Sequence, residues 1–181
     1  MQQISEKIRQ LRQSRSLSLR MLAKQAGVSA SALSQIESGQ VSPSIATLEK
    51  ICAALALPIT ILFDEPGNGG DPLIMPAQNR RRVYSTTSHA TVEPLARGFS
   101  EKKMQPILIT LDPGGEVGEQ PYVGVKGEEF AIVVSGSALF EQSRKTYELE
   151  AMDAVYFDPH HPHNWKNRGP APAVILLVSS L

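Results

Sequence analysis

Residues 17–39 read LSLRMLAKQAGVSASALSQIESG, and their spacing describes two short helices that meet at a glycine. Ser18 is placed to cap the first helix, whose apolar positions Leu19, Leu22, Ala23 and Ala26 recur at helical intervals, and Gly27 supplies the left-handed residue that ends it. Ser29 caps the second helix. Its inward stripe is Ala32, Leu33 and Ile36, which leaves Ala30, Ser31, Ser34 and Gln35 on a small, polar, weakly charged face that fits a DNA major groove. Ile4, Ile8 and Leu11 predict a helix before this pair, and Ile45, Leu48, Ile51, Cys52 and Leu55 predict one after it.

In combination, Leu11–Arg12, Leu22–Ala23, the AGVS of residues 26–29, the LSQIESG of residues 33–39 and the PSIATLEKI of residues 43–51 resemble the XRE family of helix-turn-helix regulators over residues 4–63. The resemblance implies a five-helix, lambda-repressor-like, all-α domain. It implies base reading by Ala30, Ser31, Ser34 and Gln35, with Ser29 both capping the helix and meeting phosphate or base edges. Ser42, Ser44 and Thr47 would offer hydroxyls and a helix amino terminus to the DNA backbone, assisted by Arg15, Arg20 and Lys24. Matching family positions also pair Arg12 with Glu37. A homodimer on a double-stranded DNA operator with twofold symmetry is the expected assembly, because one recognition helix reads only a few base pairs.

Charge agrees with this division. Residues 1–63 hold seven Lys and Arg against three acids, whereas the whole chain of 181 residues is neutral, with 18 of each sign. A basic head therefore sits on an acidic body. At 41% hydrophobic the chain can form two small domains, each with its own core. With no apolar run long enough to cross a bilayer, no secretory signal and a single cysteine, the expected setting is the cytoplasm, without membrane contact. Cys52 lies on the buried stripe of the last helix and reads as a packed side chain rather than a redox sensor.

Composition changes at the DEPGNGGDP of residues 64–72, where helical periodicity stops. The domains are therefore drawn as a head at 1–65, a linker at 66–81 whose Gly67–Gly70 lets the heads reorient, and a second domain at 82–181. Beyond the linker, β-favouring runs at 106–111, 130–134, 138–142, 147–149, 155–157 and 174–178 alternate with turn signals, as in an antiparallel sandwich or barrel. The fold class is multidomain, α plus β.

Two segments of this half, PGGEVGEQPYVGVKGEEFAIVVSG at 113–136 and LEAMDAVYFDPHHPHNWKN at 149–167, resemble the cupin jelly-roll barrel. Cupins place two histidines and a glutamate in the first segment and a histidine in the second, all facing inward on a metal. Here the resemblance puts Val123 and Val125 at the histidine positions, Glu129 at the glutamate and His163 at the last ligand. Valine donates nothing to a metal, so no cofactor is expected, with His161 beside His163 leaving a divalent metal as the lesser alternative. What remains is a pocket lined by Glu129, His163, Trp165, Val123 and Val125 for a small-molecule effector. Glu129 favours an amine. Glu129 could instead be exposed or paired with Lys126, and Trp165 could be ordinary core.

Arg80, Arg81 and Arg82 could meet phosphates, anchor a carboxylate or bridge the domains, with a solvated charge run as the default. No nucleophile constellation or phosphate-binding glycine loop stands out. The reading is a non-enzymatic regulator, its resemblance being to repressors of amine, amino-acid or sulfur metabolism. The rivals are a cupin enzyme of isomerase or dioxygenase type, and a DNA-binding protein whose barrel serves only to dimerise.

Overall fold

The computed structural model describes residues 2–63, 73–99, 102–124 and 127–180. The apolar spacing at the start of the chain becomes four α-helices, α1 (Gln2–Ser14), α2 (Leu19–Ala26), α3 (Ala30–Glu37) and α4 (Ile45–Ala54). Ser18, Ser29 and Ser44 each adopt extended backbone and accept a hydrogen bond from the N–H three residues on, which starts α2, α3 and α4. Gly27, at φ 65°, turns the chain left-handed between α2 and α3. The expected fifth helix is a 3-10 turn, Ile59–Phe63. Pro58 begins it without an N–H to donate, and the Ile61 N–H closes on the Pro58 carbonyl at i+3.

Arg12 and Glu37 form the expected clamp between α1 and α3. Two guanidinium nitrogens donate to the two carboxylate oxygens at 2.7 and 2.8 Å, while a third donates to the Leu17 carbonyl at 2.9 Å.

Among the described residues, a short 3-10 turn at Ala77–Asn79 and nine strands follow: β1 (Val83–Ser85), β2 (Ala90–Pro94), β3 (Met104–Leu111), β4 (Glu129–Ser135), β5 (Ala138–Gln142), β6 (Lys145–Leu149), β7 (Ala154–Phe157), β8 (His163–Lys166) and β9 (Ala173–Ser180). They form antiparallel sheets in the orders β1-β2-β3-β9-β4-β7 and β6-β5-β8. All six expected strands are present. The expectation omitted β1, three residues long, β2, whose Glu93 and Pro94 break the β-favouring run, and β8, whose His163–Lys166 holds one β-favouring residue, Trp165. Gly67–Gly70 lies outside the described residues.

Alternation along the strands fills the barrel. Gln105, Ile107, Ile109 and Leu111 of β3 are buried, as are Ala173, Ile175 and Leu177 of β9. Aromatic rings close the centre: Phe140 lies 4.7 Å from both Phe157 and Trp165, and His163 lies 4.5 Å from Tyr122 and 5.0 Å from Phe157.

In place of two separate cores, the buried apolar residues of head and barrel form one continuous cluster. The amino terminus of α4 is fastened to the barrel. The Ile45 N–H donates to Ser88 Oγ and the Ala46 N–H to the Val117 carbonyl, both at 3.0 Å, and Ser85 Oγ donates to the Pro43 carbonyl at 2.8 Å. Gly118 is required here, since a Cβ on it would stand 2.5 Å from the Ala46 Cβ. Asn164 holds the Gly118 loop with both ends of its amide. Arg81 donates to Gln3 at 2.6 Å and so bridges the domains, while Arg82 pairs with Glu93.

Candidate DNA-binding surface and barrel-mouth site

Ser31, Ser34 and Gln35 are exposed on α3, as are Arg20 and Lys24 on α2 and Arg15 in the turn before it. Ser29 is exposed too, with its oxygen accepting from the Ala32 N–H at 3.1 Å and lying 3.3 Å from the Ser31 hydroxyl. Ala30 is half-buried against the core. Ser31, Ser34 and Gln35 give α3 a polar outer face, on a short helix tied to α1 by the Arg12–Glu37 clamp, an arrangement that can enter a major groove.

The second expected phosphate contact is corrected. Ser42, Ser44 and Thr47 do not present α4 to the DNA backbone, because the barrel already occupies that end. Ser42 accepts from the Thr86 N–H at 3.3 Å, and its carbonyl takes the Thr87 hydroxyl. Ser44 is buried, caps the Thr47 N–H at 3.0 Å and meets the Thr47 hydroxyl at 2.8 Å. With Ile45 and Ala46 donating to the barrel, the amides that would hold a phosphate are taken.

The expected effector residues divide among three places. His163 and Trp165 are each 1% exposed within the aromatic centre. The partner of His163 Nδ1 is the His161 carbonyl at 3.0 Å, so Nδ1 carries the proton; burial lowers the pKa of the ring and keeps it neutral. Val123 is 41% exposed and lines an outer groove between α2, α4 and the Tyr122 loop. Val125 lies outside the described residues. Glu129 stands apart from the histidine, at the head-facing mouth of the barrel, where it takes the Ser179 hydroxyl at 2.8 Å. The barrel centre is filled by rings, and the cavity that Glu129 lines is bounded by neither His163 nor Trp165.

Among the described residues, no three His, Cys, Asp or Glu side chains converge to hold an ion. His161 is exposed and meets His163 through its carbonyl, not its ring. The residues present do not fit a cupin metal centre.

At the mouth, the head contributes a residue that the sequence analysis did not single out. Glu49 of α4 shares a small cavity with Glu129, Gln105 and Ser179, under a cover of Pro58, Ile59 and Thr60. Burial, reinforced by the charge of Glu129, raises the Glu49 pKa to about 8, and burial raises that of Glu129 to about 7 against the lowering effect of Ser179. The signal was present in the spacing: Glu49 lies four residues after Ile45 and three before Cys52, on the inward face of the helix. Gln105 shares the inward parity of Ile107 and Ile109.

Comparisons with known proteins agree with both halves. The helix-turn-helix family profile matches residues 8–62 and the cupin domain profile matches residues 107–179. The HTH-type transcriptional regulator PuuR of Escherichia coli K12 is 26% identical, over 90% of this chain and 86% of its own. The crystal structure of an HTH_3 family transcriptional regulator from Vibrio cholerae superposes with a TM-score of 0.77 at 25% identity, covering 99% of this chain and 96% of that one. Hydroxypropylphosphonic acid epoxidase from S. wedmorenis reaches a TM-score of 0.51 at 18% identity over 98% and 97% of the two chains, a likeness of fold alone.

Proposed function

The chain joins a helix-turn-helix domain to a cupin domain and is a homologue of XRE-family transcriptional regulators, and we propose that it is a sequence-specific regulator of the repressor type. It binds a twofold-symmetric DNA operator as a homodimer in the cytoplasm, and a small amine, amino acid or related metabolite at the barrel modulates its affinity. No helix among the described residues is long and apolar enough to cross a membrane.

One observation carries the DNA-binding part. The polar face of α3, Ser31 with Gln35 one turn on, is exposed, as are Arg20 and Lys24 on α2, while Leu33 and Ile36 anchor the opposite face of α3 in the core. Phosphate contacts from Lys24, Arg15 and Arg20 position the head, and Ser31, Ser34 and Gln35 read bases. The non-enzymatic reading is supported by the likeness to HTH-type transcriptional regulators.

The test is selection of bound duplexes from a random pool, followed by affinity measurements on the enriched sequence. Lys24→Ala should weaken binding to all duplexes alike, whereas Ser31→Ala should change which base is preferred. The reverse pattern removes these roles. Adding candidate metabolites to the operator complex then tests modulation, and affinity unchanged by all of them supports a barrel that only dimerises.

A further inference from the structure

A cavity of about 250 Å³ lies where three parts of the chain meet: the first turn of α1 at Gln3, the segment 75–81 that leads into the barrel, and the stretch 94–97 at the end of β2. It shares no residue with the barrel mouth. Arg81 and Arg97 both line it, and no described acid does. The first turn of α1 carries no acid either, so nothing there offsets the positive end of that helix dipole.

Arg81 differs from the other paired arginines. Arg12, Arg82 and Arg168 each meet a carboxylate, whereas Arg81, half-buried, donates among the described residues to the neutral Gln3 Oε1 alone, through one nitrogen at 2.6 Å. A guanidinium carries five N–H donors and keeps its charge, so most of the Arg81 fork is left for an anionic acceptor. Asn79, exposed at the same cavity, has an amide that makes no hydrogen bond among the described residues. Arg97 is already engaged, so the contact falls to Arg81. The rest of the lining is apolar, with Phe63, itself 3% exposed and anchored in the core, joined by Met75, Pro94 and Ala96.

We propose that this cavity binds a small monocarboxylic acid, its carboxylate on the Arg81 fork and the Asn79 amide, its hydrocarbon body against Phe63, Met75, Pro94 and Ala96. The site goes beyond the regulator reading, since it lies outside the barrel and takes a ligand of the opposite charge to the one Glu129 favours. A planar carboxylate matches two parallel N–H groups of a guanidinium, which a point charge such as chloride does not. Sulfate or phosphate would satisfy Arg81 but leave the apolar lining in water, and a neutral hydrocarbon would do the reverse. The volume lies below the range of roughly 300 to 1,000 Å³ typical of drug-sized ligands, and so fits a small metabolite.

The position gives the acid a structural effect. It touches the head at Phe63, the entering segment at Arg81 and the barrel at Pro94, so it binds only while the two domains are docked. Its binding free energy therefore adds to that of the joint at α4. Gln3 competes for the same guanidinium, because its Oε1 takes one nitrogen of the fork. Removing Gln3 breaks the bridge between the domains but leaves the cation in place, whereas removing Arg81 takes away both.

The experiment uses the full chain and sodium pentanoate at pH 7.5 and constant ionic strength, with pentanamide, pentylamine, acetate and sulfate for comparison. Pentanoate should raise the Tm of the parent and give a saturable heat in calorimetry. Pentanamide and pentylamine should not displace it, and acetate and sulfate should do so only at far higher concentration. Arg81→Gln should weaken pentanoate binding by about tenfold to a hundredfold, the worth of a charge-assisted hydrogen bond. Gln3→Ala should keep the affinity of the parent, which separates a ligand contact from a bridge. Parent-like affinity in Arg81→Gln overturns the site, as does an equal loss in Gln3→Ala. Pentanamide binding as well as pentanoate overturns the acid class, sulfate binding as well overturns the apolar body, and a parent that pentanoate does not stabilise overturns the whole proposal. Arg81→Gln that loses operator affinity while answering pentanoate as the parent does moves Arg81 to the DNA backbone. The operator assay with Lys24→Ala and Ser31→Ala decides the regulator reading independently.

Discussion

Replacing Glu49 by glutamine should make the protein more stable, and increasingly so as the pH rises. The folded state raises the Glu49 pKa from the ordinary carboxylate range near 4.5 to about 8. A raised pKa means that the folded chain holds a proton the unfolded chain has lost. The associated stability is complete below pH 4.5 and disappears as the pH climbs through 8. At about 1.4 kcal/mol per unit, the full window corresponds to roughly 5 kcal/mol, and about 3 kcal/mol after allowance for the part of Glu49 that reaches solvent. Glutamine has the same shape and does not titrate. The Tm difference between Glu49→Gln and the parent should therefore be near zero at pH 5 and reach on the order of 10 °C by pH 9. Melting curves at half-unit intervals in amine-free buffers measure it. A difference that is constant across pH 5 to 9 would refute the argument, because it would mean that the Glu49 carboxyl ionises as readily in the fold as in water.

Three further outcomes follow from the geometry. Glu37→Ala leaves the Arg12 guanidinium, 13% exposed, with only the Leu17 carbonyl, and should cost about 3 kcal/mol in denaturant titration; an unchanged midpoint would make the clamp dispensable. Gly118→Ala places a methyl against Ala46 and should cost about 1 to 3 kcal/mol and split the calorimetric transition, while Ala46→Gly in the same chain should restore a single one. His163 has a lowered pKa, so its contribution is present above pH 6.5 and is lost as the pH falls through the folded value. His163→Phe should flatten that acid-side loss, and an unaltered slope below pH 6.5 would place the imidazole in water.

The head was legible because its signals are local. Ser18, Gly27 and Ser29 act on residues within one turn of themselves, and helical spacing alone separates Leu33 and Ile36 from Ser31 and Gln35. The Arg12–Glu37 pair spans 25 residues and came from family resemblance rather than spacing. The barrel strands showed through alternation and turn residues, whereas the mouth site did not, for a physical reason. Glu49 and Glu129 are 80 positions apart and belong to different domains; the cupin resemblance marks Glu129 and helical spacing puts Glu49 on an inward face, but nothing in either signal points to the other. Likewise, nothing within residues 42–47 indicates that Ser88 and Val117 will take the first amides of α4, because that contact depends on how two folds meet.

The bonding of α4 to the barrel bears on how such chains can be recombined. A head grafted onto a foreign cupin would arrive with the Ile45 and Ala46 N–H groups unsatisfied unless the recipient offered a hydroxyl where Ser88 stands, a free carbonyl where Val117 stands and a glycine where Gly118 stands. A chimera cut at the glycine-rich segment alone would keep both folds and lose the joint between them. Transplanting residues 85–88 and 117–118 together with the head would carry that joint across, so the inheritable unit of this regulator is the helical domain plus two short stretches of the barrel to which it is sewn.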